Sequence, residues 1–524
     1  MKSVLAIDLG GGSVKAAVVS DAGRIAAVSA EPVTTHLLPD GGAEQDPNHW
    51  WDAAMRTAKQ AILDSGENPE NIVAIACASQ WSVVVPVDEH INPLMNAVYW
   101  LDTRGARYNR EISGGFPEIQ GYNIFKALKW IRLAGLAPTH SGVDSLGHVL
   151  FIKHERPEIY ARTRAFLEPM DFLTTKLTGR ITATQKTMAP FMVVENRKWG
   201  TRAYSNTLLK LAGLDQRRFP ALLENDGIVG TLLPAAADEL GLLPSTPVIC
   251  GIADSNASVI GSGAVGDFDP IIYMGTSMYL TCHVPFQKTD PRCMMTTLPS
   301  PFKNRYYLLG EQGAGGKCVI YFLNNIVYGK DALSGPECAE CPDDVFIRFN
   351  AAAEDAPAGS NGVVFLPWLN GSLVPCEDSR MRGGFVNLSF NTTRHDLARA
   401  VMEGLAFNNR WTREAAEDFL GRSLACFRFS GGGALSDLWA QIIADVLNVD
   451  IHQVEDPLHT TVRGAAMLAF MTLGYRKIEE LKDLAKIRRV FTPRPEHRKR
   501  YDRMYIQYRQ LFKKNRKIFR ELNA

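Results

Sequence analysis

The segment VLAIDLGGGSVKAAVV, residues 4–19, predicts two strands joined by a tight turn. Apolar residues fill both of its ends, whereas DLGGGS (8–13) in the middle is too rich in glycine for a helix. A similar unit begins at residue 271, where IIYM is followed by GTS and then by MYLTCHV. Two such hairpins, one near the beginning of each half of the chain, indicate a duplicated architecture.

Between and after these hairpins the sequence alternates between strand and helix patterns. NIVAIACAS (71–79) and SVVVPV (82–87) are apolar runs typical of strands, and helices are predicted over 48–64, 123–134 and 396–420. This alternation favours α/β domains.

A linker is predicted at GSGAVGDFDP (261–270), which holds four Gly or Pro residues. We therefore divide the chain into an N-terminal domain (1–262), a C-terminal domain (263–480) and a C-terminal helical tail (481–524).

The composition is that of an ordinary soluble globular protein, with 46% apolar and 22% charged residues in a chain of 524. The net charge of +1 gives no overall field that would hold nucleic acid or an anionic membrane. No apolar run approaches the roughly 18 residues needed to span a bilayer. Nine cysteines without regular spacing predict reduced thiols and a cytoplasmic protein.

The tail from Arg494 onward is basic and carries one apolar face. Four aromatic residues recur there at spacings of four, three and four, the pattern of one side of a helix: Tyr501, Tyr505, Tyr508 and Phe512. We expect a docking helix whose Lys and Arg residues face solvent, and a nucleic-acid contact is the alternative.

Three segments resemble familiar binding motifs but lack residues or elements that those motifs require. GSGAVG (261–266) matches a dinucleotide fingerprint, but a predicted helix precedes it where a strand is required. GEQGAGGKC (310–318) resembles a P-loop, yet Glu311 replaces its first glycine and Cys318 its Ser or Thr. CAEC (338–341) is a lone pair of cysteines, whereas a structural zinc site needs four ligands.

Three glycine-rich turns are more informative as a set: DLGGGS (8–13), MGTSM (274–278) and FSGGGALSD (429–437). Backbone N–H groups without side chains form concavities that bind anions, and the third turn also opens a helix. Each alone is typical of a plain tight turn. Together they predict a nucleotide held between two related domains.

Asp254 is the candidate catalytic carboxylate. It follows the predicted strand PVICG within GIADSNAS (251–258), a run of small residues. Phosphoryl transfer to an alcohol needs one carboxylate to accept the hydroxyl proton, together with charge neutralisation by a metal and hydrogen-bond donors. The alternative is a structural Asp that caps the helix starting near Ser255.

The combination of these motifs resembles the FGGY family of carbohydrate kinases over essentially the whole chain, and its xylulokinases most of all. The resemblance rests on DLGGGS, EQDPNHWW (44–51), QW (80–81), WLDTR (100–104), GIADSN, MGTS, LPWLNGSLVP (366–375) and SGGGALSDLW, in that order.

This resemblance implies the two-lobed ATPase fold of actin, hexokinase and Hsp70, with duplicated ribonuclease H-like domains around an interlobe cleft. It implies that Asp254 is the catalytic base and that Asp8 meets Mg²⁺ bound to ATP. The implied nucleotide contacts are Gly11, Gly12, Ser13, Gly275, Thr276, Gly315, Gly432 and Gly433. The implied sugar contacts are Gln80, Trp81, Trp100, Asp102 and Tyr122, facing Asp254.

Departures from the family pattern cluster on the sugar side. Trp81 and Ser82 stand where xylulokinases have Met-His, Ser255 replaces an Asn, and ATQKTMAP (183–190) replaces a serine-containing segment. In the first turn, Gly11 replaces a Thr. Since Trp offers one donor and a flat apolar face, Trp81 indicates an altered choice of sugar, with ordinary core packing as the alternative.

The sequence thus predicts an ATP-dependent kinase that phosphorylates a terminal hydroxyl of a small, xylulose-like ketose. One alternative is a kinase for another polyol or ketose, such as glycerol, ribulose or a ribitol-type substrate. A second is an actin-like or Hsp70-like ATPase switch without a sugar. The expected partners are the sugar and ATP, without nucleic acid or membrane, and a homodimer is left open.

Overall fold

The computed structural model describes residues 1–329 and 341–523. The CAEC motif lies outside these residues except for its last cysteine. Within the described ranges each half of the chain forms one large mixed sheet, and α-helices cover the sheets.

The first sheet has seven strands, and its main path runs in the order Ile228–Thr231, Pro247–Ile249, Ile72–Ser79, Ser3–Leu9, Ser13–Ser20 and Ile25–Pro32. Pro247–Ile249, Ile72–Ser79 and Ser3–Leu9 are parallel, and the remaining pairs along the path are antiparallel. The short strand Ile252–Ala253 also pairs in parallel with Ile72–Ser79.

The second sheet repeats this plan within the described residues. Its path runs in the order Ile487–Phe491, Asp450–Val454, Cys426–Ser430, Ile271–Met274, Ser277–Thr281, Tyr306–Ala314, Met295–Pro299 and Thr289–Asp290, and His283–Val284 pairs beside it. Again three parallel strands are followed by an antiparallel hairpin. The two-lobed α/β fold with duplicated domains is therefore confirmed.

The described helices lie over Pro47–Ser65, Ala106–Ser113, Ile124–Ala134, Ser145–Glu155, Pro157–Arg162, Pro169–Thr178, Asn206–Ala212, Pro234–Leu240, Asp254–Gly261, Gly316–Phe322, Val345–Asp355, Arg394–Leu420, Asp437–Leu447, Thr460–Thr472, Ile478–Leu481 and Pro495–Leu522. Small strands outside the two sheets lie at His36–Leu37, Ala43–Gln45, Val85–Val87, Ala97–Val98, Glu118–Ile119, Tyr122–Asn123, Ala165–Leu167, Thr182–Thr184, Ala221–Leu223, Val364–Leu366 and Gly384–Val386.

The predicted helices agree with these bounds within a residue or two, but the strand predicted over 82–87 covers only Val85–Val87. The cause is local, because Ser82 has a φ of 60°, which no regular strand accommodates. The chain therefore turns just after Trp81 instead of continuing as a strand.

Two helices cross between the lobes with their backbones in contact. A Cβ atom on Gly261 would overlap the Thr460 carbonyl, and one on Gly464 would overlap the Ala257 carbonyl. The helix Thr460–Thr472 packs against the first sheet, although it comes from the second half of the chain. For this reason the domain boundary drawn between residues 262 and 263 stays a prediction.

The C-terminal helix Pro495–Leu522 docks as its aromatic spacing predicts. Its four aromatic residues are buried in the core of the second lobe, and the Tyr508 hydroxyl donates to the Asn408 side chain at 3.1 Å. None of the helices in the described ranges has the length and apolar character to cross a bilayer. The eight cysteines in those ranges are free thiols.

Replacing Gly464 by alanine should lower the free energy of unfolding by about 1–3 kcal/mol, because the added methyl group overlaps the Ala257 carbonyl. Helix propensity alone would favour alanine by up to about 1 kcal/mol, so a net loss reports the close crossing. Urea unfolding measures the change. Gly12→Ala is the control, since its Cβ would meet no atom within 4 Å, and equal stability of the two variants would contradict the prediction.

Candidate active site

Three polar residues lie at or just after the carboxyl ends of adjacent parallel strands of the first sheet. Asp8 and Ile252 both lie level with Ala78 of the central strand, which places the ends of the three strands together. Gln80 follows the central strand and Asp254 follows Ile252–Ala253. Ligands of open α/β sheets bind at this edge, beyond the carboxyl ends of the strands.

Asp254 begins the helix Asp254–Gly261 and is half-buried. Burial raises the pKa of its carboxyl to about 7, the negative charge of Asp8 adds to this rise, and the Ser255 N–H, which donates at 2.6 Å, opposes it. The carboxyl does not cap the helix in the usual way, because that bond reaches only the next residue. A carboxylate with such a pKa accepts a proton readily near neutral pH.

Asp8 is buried, and its Oδ1 has no hydrogen-bond partner among the residues that the structure describes. Burial raises the pKa of the Asp8 carboxyl to about 6, and Lys15 opposes that rise. A buried oxygen without a partner is costly, so this atom is suited to contact a ligand.

The second lobe supplies the opposite wall of the site. Burial and then the charge of Asp254 raise the pKa of Tyr307, and the same two causes raise that of Glu311 to about 8, against a hydrogen bond from Gly313. Burial, followed by the charges of Asp254 and Asp8, also raises the pKa of Tyr273. The charge of Asp254 in the first lobe therefore acts on Tyr307 and Glu311, which belong to the strand Tyr306–Ala314 of the second lobe.

The first glycine turn is closed by a hydrogen bond from the Gly10 N–H to the Ser13 carbonyl at 2.9 Å. Gly11 lies against the hydroxyl of Tyr99, so closely that a Cβ atom there would overlap it. Gly12 is exposed. The turn thus leaves backbone open on one side and packs on Tyr99 on the other.

The second turn lies against the segment around Gly315. The Gly316 N–H donates to the Gly275 carbonyl at 2.8 Å, and the Gly315 N–H donates to the Thr276 carbonyl at 3.1 Å. Thr276 itself is exposed. Two of the predicted nucleotide segments are therefore joined by direct hydrogen bonds.

The third turn packs on the residue that precedes the second. Gly431 has a φ of 84°, and a Cβ atom there would lie 2.6 Å from the Met274 carbonyl oxygen. A Cβ atom on Gly433 would lie 2.9 Å from the Met274 sulfur. Gly432 stays exposed between them. The structure thus brings the three predicted glycine segments of the second lobe to one surface.

On the sugar side, Gln80 and Trp81 have different surroundings. Gln80 donates through Nε2 to Gln45 at 2.9 Å, and its buried Oε1 has no partner in the described part of the chain. The Trp81 indole N–H donates to the Thr187 carbonyl at 3.3 Å, and its ring lies 6.2 Å from that of Tyr307 across the interlobe boundary.

Trp100 faces the second lobe, where the Lys317 ammonium lies 5.5 Å from the centre of its ring. The Tyr122 hydroxyl donates to the Pro138 carbonyl at 2.9 Å, and its ring stacks on His140 at 3.8 Å. Trp100 therefore lies at the interlobe boundary, whereas the Tyr122 hydroxyl is already bonded within its own lobe.

Asp102 is fully buried and its carboxylate is already bonded. It accepts hydrogen bonds from the Ala43 N–H at 2.9 Å and from Arg104 at 2.6 Å. Arg104 in turn pairs with Glu44 at 2.7 Å. A sugar that contacted Asp102 would have to share the carboxylate with Arg104, so a direct contact remains a prediction.

No cluster of three or more acidic, His or Cys side chains that could hold a metal ion occurs in residues 1–329 and 341–523.

Sequence reasoning missed Glu311, Tyr99 and Tyr307. Their positions near Asp254 depend on contacts between distant parts of the chain, which no local pattern shows.

Both halves of the chain match domains of one family. The FGGY family of carbohydrate kinases, N-terminal domain, matches residues 3–261, and the C-terminal domain matches 271–473. The chain belongs to the FGGY family of carbohydrate kinases. This FGGY protein is therefore a sugar kinase, in a family whose members use ATP as phosphoryl donor.

Individual relatives agree with this over nearly the whole chain. A xylulose kinase of Staphylococcus epidermidis is 28% identical over 99% of this chain and 98% of its own length, and one of Bacillus subtilis is 26% identical over 98% and 97%. A gluconate kinase structure from Lactobacillus acidophilus has the same fold, with a TM-score of 0.85 at 22% identity over 99% of both chains.

Replacing Gly11 by alanine should impair the first turn through its overlap with the Tyr99 hydroxyl, and Tyr99→Phe should relieve that overlap. We expect Gly11→Ala to raise the KM for ATP, and the double variant to recover most of the loss. Steady-state kinetics of both single variants and the double variant measure this coupling. Purely additive effects would show that the contact does not shape the turn.

Proposed function

We propose that this kinase transfers the γ-phosphoryl group of ATP to a terminal hydroxyl of a xylulose-like ketose, with Asp254 as the general base. The observation that carries the proposal is the position of Asp254, which follows a strand of the first lobe near Asp8 and whose charge acts on Glu311 of the second lobe. The relatives named xylulose kinase support the choice of sugar.

In this proposal the exposed N–H groups of the glycine segments bind the triphosphate from both lobes. The segments are those around Gly12, Thr276 and Gly432, with Gly315 and Gly433 supporting them. Asp254 accepts the proton as the sugar hydroxyl attacks the γ-phosphate. Closure of the lobes excludes water, which would otherwise hydrolyse ATP.

Magnesium fits the donors present at one position. The buried Asp8 Oδ1 has no partner in the described residues, and carboxylate oxygens are ligands that Mg²⁺ prefers. Asp8 would hold the ion, which when bound with ATP neutralises charge on the phosphate oxygens.

A different acceptor is the second candidate, because Trp81, Ser82 and Ser255 depart from the xylulokinase pattern on the sugar side. A polyol, another ketose or a sugar acid would each suit a changed pocket. ADP release by the purified protein against a panel of such sugars distinguishes them. Family membership argues against the sugar-free ATPase switch.

The remaining partners and the location are also proposals. Free thiols in the described ranges support a cytoplasmic protein, and the near-neutral charge supports the lack of a nucleic-acid partner. A homodimer would not alter the proposed chemistry, since each chain supplies both walls of the site.

Asp254→Asn should reduce kcat by about 10²–10⁴-fold while ATP still binds, because the amide keeps the shape but accepts no proton. Steady-state turnover gives the first quantity and calorimetric titration with ATP the second. Near-full turnover in this variant would remove Asp254 from its role.

The rate should also depend on pH through Asp254. The pKa of its carboxyl is raised to about 7, so the base is ionised above that pH and becomes protonated as the pH falls through it. We expect kcat/KM to fall about tenfold per pH unit below the pKa. The residual rate of Asp254→Asn is the control and should lack this dependence, whereas a wild-type profile that is flat from pH 5 to 8 would contradict the assignment.

A further inference from the structure

Gln45 is a fully buried amide in the segment EQDPNHWW (44–51), to which the proposed function assigns no role. It ends the short strand Ala43–Gln45, and Asp46 then caps the helix Pro47–Ser65 through a hydrogen bond from the Asn48 N–H at 2.9 Å. The backbone is therefore held by regular structure on both sides of Gln45.

The side-chain amide of Gln45 makes four hydrogen bonds, as many as its atoms allow. Its Nε2 donates to the Gly11 carbonyl at 3.0 Å and to the Thr35 hydroxyl at 2.7 Å. Its Oε1 accepts from the Trp50 indole N–H at 3.1 Å and from Gln80 Nε2 at 2.9 Å. Gln45 thus joins the first glycine turn to Gln80.

These partners determine which way the amide of Gln45 faces. The Trp50 indole N–H can only donate, so it must meet the amide oxygen, and the Gly11 carbonyl can only accept, so it must meet the amide nitrogen. Gln45 therefore presents its oxygen to Gln80, and only the Nε2 atom of Gln80 can bind it. The amide oxygen of Gln80 is left on the other side.

The Gln80 Oε1 atom lies beside the first glycine turn. It is buried, has no hydrogen-bond partner among the described residues, and would lie 3.2 Å from a Cβ atom on Gly11. The Gln80 backbone N–H donates to the Leu9 carbonyl at 2.9 Å, which places Gln80 at the edge of the sheet where ligands bind. Because a buried acceptor without a partner is costly, this atom is suited to a ligand that carries a proton.

We propose that Gln45 is a positioning residue that holds the Gln80 amide with its oxygen towards the acceptor sugar. The inference rests on the proposed function and deepens it, because Gln80 is one of the sugar contacts that the family resemblance implies. The keto oxygen of a ketose has no proton to donate, so the group that faces Gln80 Oε1 is a hydroxyl. Without Gln45, the Gln80 amide is free to turn over and present its N–H groups instead.

Gln45→Met tests the inference, since methionine keeps an unbranched side chain of similar length but has no amide. We expect the KM for D-xylulose to rise about 3- to 10-fold, the effect of one hydrogen bond. The kcat at saturating substrates should change less, because all four bonds of Gln45 are to the protein itself. Steady-state kinetics at saturating ATP measure both constants.

Gln45→Glu is the conservative variant. Whether or not the carboxyl is protonated, one of its oxygens can still accept from Trp50 and Gln80, so the orientation of the Gln80 amide is kept. The KM for D-xylulose should then stay close to that of wild type, although the donors to Gly11 and Thr35 are not both retained.

Asn109→Leu is the matched control for the loss of a buried amide. Asn109 is fully buried in the helix Ala106–Ser113 of the same lobe. Its Nδ2 donates to the Thr139 carbonyl and to the Asp144 carboxylate, both at 2.9 Å. We expect this variant to unfold at a lower temperature than wild type, because buried hydrogen bonds are lost, yet to keep the wild-type KM for D-xylulose.

A variant that combines Gln45→Met with Gln80→Met shows whether Gln45 acts through Gln80. We expect Gln80→Met alone to raise the KM for D-xylulose, and Gln45→Met to add nothing further in that background. An unchanged KM in Gln80→Met would overturn the inference by itself, whether or not Gln45→Met folds.

An unchanged KM in Gln45→Met, an equal rise in Gln45→Glu or in Asn109→Leu, or a full additional rise in the combined variant would each overturn the inference and leave the kinase activity standing. A wild-type protein that does not phosphorylate D-xylulose would instead refute the proposed function, and the inference with it.

Discussion

Two helices can cross with their backbones in contact only where neither carries a side chain, and Gly261 and Gly464 meet that condition. The first of these helices begins at Asp254, and the second packs on the sheet of the opposite half of the chain. The crossing thus fixes the position of Asp254 relative to both sheets.

The electrostatics of the cleft follow from that placement. Burial raises the pKa values of Asp8, Asp254 and Glu311 to about 6, 7 and 8. The charge of Asp8 adds to the rise at Asp254, and the charge of Asp254 adds to the rise at Glu311. Carboxylates in this condition gain when a proton, a cation or a hydroxyl donor reaches them. The substrates of a sugar kinase supply such groups, and at this edge of the first sheet Asp8 Oδ1 and Gln80 Oε1 are buried without a partner among the described residues.

Much of the fold could be predicted from the sequence, because local residue patterns indicate its turns and helices. The glycine turns after residues 8 and 274, the small residues around Asp254 and the aromatic spacing in the tail each predict an element that the structure has. The end of the strand at Val85–Val87 and the hydrogen bonds of Asp102 could not be predicted. The first depends on the positive φ of Ser82, and the second on the Arg104 side chain, which donates to the Asp102 carboxylate. No periodic pattern in the sequence predicts either of them.

A crystal structure with a non-hydrolysable ATP analogue and D-xylulose tests the central claim most directly. The account predicts a carboxyl oxygen of Asp254 about 2.6–3.2 Å from the terminal hydroxyl oxygen of the sugar, with the triphosphate along the glycine turns of both lobes. An Asp254 carboxyl that points away from a fully bound sugar and nucleotide would contradict it.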